Sequence, residues 1–158
     1  MDVSVVAAAV PEAVTILIVD DEESIRRSLE RAFRDEGIET LEAKSGEDAL
    51  AILERVNPSL VLLDIWMPGM DGMETLKKIK SAYPELPVVM ISGHTTIATA
   101  IHATKLGAAD FIEKPLDLNA ILGVVKKVIS LRQTEKQQEP VGSAGPTERE
   151  ELWSGVQA

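Results

Sequence analysis

Between Thr15 and Leu131 the chain alternates short strand-like segments with longer amphipathic ones, five times over. The strand-like segments are Ile16–Val19, Ile38–Ala43, Leu60–Leu63, Pro87–Ile91 and Ala109–Ile112. Runs that are apolar throughout are buried on both faces. The intervening segments carry apolar residues at helical spacing. These are Ile25, Leu29, Ala32 and Phe33, then Ala49, Ile52, Leu53 and Val56 within Gly46–Val56, then Met73, Leu76 and Ile79. A fourth stretch covers Thr96–Leu106, and a fifth, Leu118–Leu131, turns Leu118, Ile121, Leu122, Val125 and Ile129 inward. Gly37, Asn57-Pro58, Pro84 and Gly107 punctuate them, and Asp71 suits an N-cap. Strands alternating with helices pair in parallel through right-handed crossovers. The pattern predicts an α/β chain with an open, doubly wound, five-stranded parallel sheet. The order 2-1-3-4-5 is favoured for such sheets, although the pattern alone does not fix it.

The 158 residues suffice for one domain and a tail. Aromatics are only 3%, so aliphatic side chains must fill the core. A net charge of -10 disfavours binding to a nucleic-acid backbone and suits a site for a hard cation. With no cysteine, disulfides, thiolate metal sites and thiol catalysis are excluded. Val3–Val10 is apolar but short and follows Asp2 rather than a basic segment. Neither a signal peptide nor a membrane span (about 20 apolar residues) is expected, and the cytoplasm is the expected compartment. Residues 1–14 read as a flexible extension and 15–131 as the folded domain. Residues 132–158, rich in Gln, Glu, Ser, Gly and Pro, read as a disordered tail or linker.

Function in a doubly wound sheet gathers at the carboxyl ends of the strands. There the chain delivers Asp20 and Asp21, Asp64, Ser92 beside Gly93, and Lys114 before Pro115. Three crowded carboxylates repel one another unless a cation intervenes. All-oxygen ligands select a hard ion, and Mg²⁺ suits a few carboxylates with waters and a phosphate. A carboxylate there can attack phosphorus to give an acyl phosphate. A lysine and a hydroxyl can bind the phosphoryl oxygens. Taken singly, each piece has an ordinary reading as a helix start or a turn. Their joint spacing over five βα units carries the functional one.

These segments resemble response-regulator receiver domains of two-component systems. The likeness runs from Ile16-Leu17-Ile18-Val19-Asp20-Asp21-Glu22 through Asp64-Ile65-Trp66-Met67-Pro68-Gly69-Met70-Asp71-Gly72. It continues in Met90-Ile91-Ser92-Gly93-His94 and Asp110-Phe111-Ile112-Glu113-Lys114-Pro115. The wording is most similar to receivers of nitrogen-regulation activators of the NtrC and NtrX type. The resemblance implies a flavodoxin-like (βα)5 fold and a phosphoacceptor switch rather than a conventional enzyme. It implies Asp64 as phosphoacceptor, with Mg²⁺ held by Asp21, Asp64 and the Trp66 carbonyl, and by Asp20 through water. It implies that Ser92 and Lys114 bind the phosphoryl group, that Ser92 and Phe111 form the switch, and that Lys114-Pro115 is cis. The implied partner is a histidine kinase or phosphotransfer protein, docking near the first helix, which carries Arg26, Arg27 and Arg31. The implied output is a helix 4/strand 5/helix 5 face including Ile97, Ile101 and Lys105, with phosphorylation-dependent homodimerisation as one mode. One of Ile97 and Ile101 is expected to pack as core.

Two positions stand out in chemistry. Trp66 should hinder an attacking water or pack over the site, and His94 reads as solvated before it reads as functional, as does His102. Three rival readings are weighed. A haloacid-dehalogenase-type phosphatase needs an Asp where Trp66 stands. A flavodoxin-like cofactor binder needs a phosphate loop where Asp20-Asp21-Glu22 would repel one. A receiver used only for interaction would not need the full acceptor set. NtrC-type regulators also carry an ATPase and a DNA-binding domain, and the chain has no Walker-type motif. Whether it stands alone or belongs to a longer regulator stays open.

Overall fold

The computed structural model describes residues 13–94 and 96–142. Its elements are β1 (Thr15–Val19), α1 (Glu23–Asp35), β2 (Glu39–Ala43), α2 (Gly46–Leu53) and β3 (Leu60–Asp64). There follow α3 (Gly72–Ala82), β4 (Val88–Ser92), α4 (Ile97–Lys105), β5 (Asp110–Glu113) and α5 (Leu118–Gly142). All four strand pairings are parallel, and the sheet order is β2-β1-β3-β4-β5, as expected. Strand limits differ from the sequence reading by a single residue.

Side-chain alternation along buried strands divides the core in two. Leu17, Val19, Val61, Leu63, Val88 and Met90 meet Ala49 and Leu53 of α2, Leu76 and Ile79 of α3, and Ala103 of α4. Ile16, Ile18, Leu60, Leu62, Val89 and Ile91 meet Leu29 and Phe33 of α1 and Ile121, Val125 and Val128 of α5. Each such Leu, Ile or Phe contributes about 1.5–3 kcal/mol by leaving water. β1, β3 and β4 are covered on both sides, which is why their sequences are almost wholly apolar. β2 lies at an edge, and its Glu39 and Glu42 face out.

Three expectations need correction. The second helix ends at Leu53, so Val56 lies beyond it and is exposed rather than inward. Leu118 opens α5 and is also exposed, because the first residue of a helix lies past the edge of the sheet it covers. α5 does not stop near Leu131 but continues to Gly142, so the helix takes in the first part of the segment read as a tail. Gln133 to Glu139 are mostly good helix formers with no breaker before Pro140. The expected extension up to residue 12, and the tail after residue 142, lie outside the described residues.

Candidate functional site

The strand order brings the predicted polar groups to one sheet edge. Asp20 follows β1, Asp64 ends β3, Ser92 ends β4 and Lys114 follows β5. Oxygens of Asp20, Asp21 and Asp64 lie within 4.8 Å of one another. Asp20 and Asp64 are buried, and Asp21 joins them from the exposed rim. Lys114 Nζ stands 3.2 Å from Asp20 Oδ2, 3.5 Å from Asp64 Oδ2 and 3.6 Å from Glu22 Oε1. The Lys114-Pro115 bond is cis, as expected.

Asp20 is the most confined member of the cluster. Its Oδ1 accepts from the Glu22 backbone N–H at 2.9 Å. Its Oδ2 is buried and, despite the nearby ammonium, accepts no well-aligned hydrogen bond. A buried, underused carboxylate oxygen beside two further carboxylates fits a hard cation. The electrostatics agree. Burial, then the charge of Asp20, pushes the Asp64 carboxyl up to about 6, against the opposing pull of Lys114. Burial also raises Asp20. Burial alone would lower Lys114, but Asp20 and Asp64 outweigh it and hold the ammonium above its usual range.

Close approach on the β3 side depends on Gly72. Its N–H donates to the Ile65 carbonyl at 2.7 Å, and a Cβ there would run into the Asp64 carbonyl and Ile65 Cα. Asp71 caps α3 by accepting from the Glu74 N–H at 2.9 Å. Ser92 is fully buried, and its Oγ exchanges hydrogen bonds with the His94 backbone. Phe111 is half-buried against the α2–α4 core. The Trp66 side chain is 57% exposed. Ile97 and Ile101 are both exposed, at 81% and 50%, so neither is the core residue expected of one of them. The side chain of His94 is exposed.

Residues 16–126 match the response regulator receiver domain model. The chain belongs to that family. Receivers are phospho-signalling switches rather than conventional enzymes, they partner with histidine kinases, and phosphorylation-dependent signalling is their function. This receiver is 41% identical over 126 residues to a putative NtrX-like response regulator of Rickettsia bellii, covering 78% of this chain and 26% of that protein. It is 38% identical over 132 residues to the DNA-binding transcriptional regulator NtrC of Salmonella typhimurium, covering 84% and 28%. The chain thus spans about a quarter of the length of these relatives. A CheY-like receiver from Methanospirillum hungatei superposes with a TM-score of 0.76 at 29% identity, over 78% of this chain and 99% of that one. The fold is therefore flavodoxin-like, as expected. No helix among the described residues is long and apolar enough to cross a membrane.

Three residues of the site were given no part in it by the sequence reading. Glu22 adds a third carboxylate to Lys114, Gly72 admits the start of α3, and Arg26 grips the backbone of Asp20 at 2.7 Å. Glu22 and Gly72 stood within the receiver-like segments and Arg26 among the arginines of the first helix, none with a role at the strand ends.

Proposed function

We propose that this receiver takes a phosphoryl group onto Asp64 in a Mg²⁺-dependent reaction and passes the signal through its α4–β5–α5 face. The convergence of Asp20, Asp21 and Asp64 beside Lys114 carries this reading. Asp20, Asp21, Asp64 and the backbone carbonyl of Trp66 would hold the ion. When bound, Mg²⁺ neutralises charge on the transferring phosphoryl group and helps align it.

The remaining work falls to the chain itself. An Asp64 oxygen forms the new P–O bond, and the donor's leaving group departs with the electron pair of the bond that breaks. The product is a mixed carboxylic–phosphoric anhydride. Lys114 supplies a fixed cation for the phosphoryl oxygens. The Ser92 hydroxyl exchanges its His94 backbone partners for the phosphoryl group, and Phe111 follows into the space released. Roughly two added negative charges thereby shift a pre-existing equilibrium between two arrangements of the loop after β4. Exposed Ile97 and Ile101 on α4, with Lys105, give the responding face its apolar contacts.

A histidine kinase or phosphotransfer protein is the donor in this reading, docked near α1 and the loop after β5, and a cytoplasmic location goes with it. Similarity to NtrX-like and NtrC proteins supports a role within a nitrogen-regulation-type transcriptional regulator. Homodimerisation is the first output to look for, by chromatography before and after phosphorylation. The test of the acceptor is intact mass after incubation with Mg²⁺ and a small acyl phosphate. One phosphoryl group should add, and none to Asp64→Asn or after chelation. Equal labelling of Asp64→Asn, steady turnover of phosphate esters, or tight FMN binding would overturn the reading.

A further inference from the structure

We propose that Arg26 is a positioning residue for the cation site, locking the Asp20–Asp21 backbone so that the β1 acids keep their aim. The inference rests on reading Asp20, Asp21 and Asp64 as ligands of a divalent cation. Arg26 lies near the start of α1 but does not behave like its neighbours there. The side chains of Arg27 and Arg34 are 72% and 66% exposed and pair along the helix with Glu23 and Glu30. That of Arg26 is 14% exposed and turns back to the strand ends. Its Nη1 donates to the Asp20 carbonyl at 2.7 Å, and its Nε to Glu42 Oε1 on β2 at 3.0 Å.

The consequence shows in Asp20. Its N–H donates to the Ala43 carbonyl at 3.1 Å, and its carbonyl is held by Arg26. Its Oδ1 is taken by the Glu22 N–H. Only Oδ2 is left without a hydrogen bond, and it lies beside Lys114 in the carboxylate cluster. Fixing the Asp20 carbonyl also fixes the planar peptide that leads into Asp21. One guanidinium therefore sets the direction of two candidate ligands. A planar fork with donors at fixed angles can hold a carbonyl and a carboxylate at once, whereas an ammonium is a single point charge. The pair with Glu42, whose side chain is 38% exposed, adds little stability by itself. Its part is to orient the fork.

Charge and positioning predict opposite signs. Arg26 is a cation close to an acidic site, so its field opposes cation binding. Removing it should tighten Mg²⁺ if charge is what matters, and weaken Mg²⁺ if backbone order is.

The experiment is calorimetric titration of the full chain with Mg²⁺ alone at neutral pH, with urea unfolding of each variant in chelator as a check on folding. Wild type should bind one ion and Asp64→Asn should lose it. Arg26→Gln should bind about tenfold or more weakly, the scale of outer-sphere losses at metal sites, with its urea midpoint near wild type. Arg26→Lys keeps the charge but not the fork, and should also bind more weakly. Glu42→Gln still offers an oxygen to Nε and should stay near wild type. Unchanged or tighter binding by folded Arg26→Gln overturns the proposal. Should that variant fail to fold, unchanged binding by Arg26→Lys overturns it. Absence of Mg²⁺ binding by wild type would instead defeat the cation-site reading, and this proposal with it.

Discussion

The side chain of Lys114 reaches across the end of β4 to stand 3.5 Å from Asp64 Oδ2. A cation is thus already in place where a phosphoryl group on Asp64 would bring negative charge. It also shares Asp20, at 3.2 Å, so in the unphosphorylated protein it holds two buried carboxylates together. Lys114→Met should separate these two roles. Phosphorylation by a small acyl phosphate should slow by about 100-fold, the scale for losing one preorganised electrostatic contact. Mg²⁺ should bind more tightly, since a competing cation is gone. Rapid-mix labelling and metal titration measure the two.

Asp64 gives a pH dependence with a definite sign. Its folded pKa, about 6, lies above the ordinary 3.8 because burial and the charge of Asp20 disfavour its ionised form. Between those values the folded state binds more protons than the unfolded state, so stability falls as pH rises through the window. The contribution is about 3 kcal/mol, lost between about pH 4 and about pH 7. Urea unfolding in chelator should show this slope in wild type, reduced in Asp64→Asn. At neutral pH without metal, Asp64→Asn should be the more stable protein.

Two glycines in helices should respond oppositely to alanine. At Gly72 a methyl group would meet the Asp64 carbonyl and the backbone of Ile65, which cannot swing aside. Gly72→Ala should cost about 1–3 kcal/mol or more as an overpacking change and should weaken phosphorylation, because the displaced atoms belong to the acceptor. At Gly123 in α5, nothing lies within 4 Å of the added carbon. Gly123→Ala should stabilise by about 0.5–1 kcal/mol through helix propensity. Thermal unfolding of both variants checks the pair.

Ile97 and Ile101 carry no core load in this state. Ile97→Ala should leave stability within about 0.5 kcal/mol, as expected of an exposed position, and Ile101→Ala nearly so. Their loss should show in the phosphorylated protein, as a weakened change in elution volume if homodimerisation is the output.

The sheet was legible because a strand covered on both faces must be apolar throughout, as Leu60–Leu63 is. The candidate site was legible because those runs end in polar residues: Asp20, Asp64 and Ser92 at strand ends, and Lys114 just beyond. What escaped depends on distances between elements. Arg26 looks like any arginine on an acidic, solvated helix until α1 is laid beside β2. Gly72 looks like half of a turn until α3 is brought against Asp64. The length of α5 escaped for another reason. Its last turns have no apolar stripe to betray a helix, and only the propensity of Gln133 to Glu139 speaks for one.

The central claim is that Asp64 is the phosphoryl acceptor. The most direct measurement is to phosphorylate the protein, reduce the acyl phosphate with borohydride, and map the modified residue by peptide mass spectrometry. Reduction should convert one aspartate to homoserine, at position 64, in a reaction dependent on Mg²⁺ and blocked by prior chelation. Homoserine at position 20 or 21 instead, or labelling with no homoserine at 64, would contradict the account.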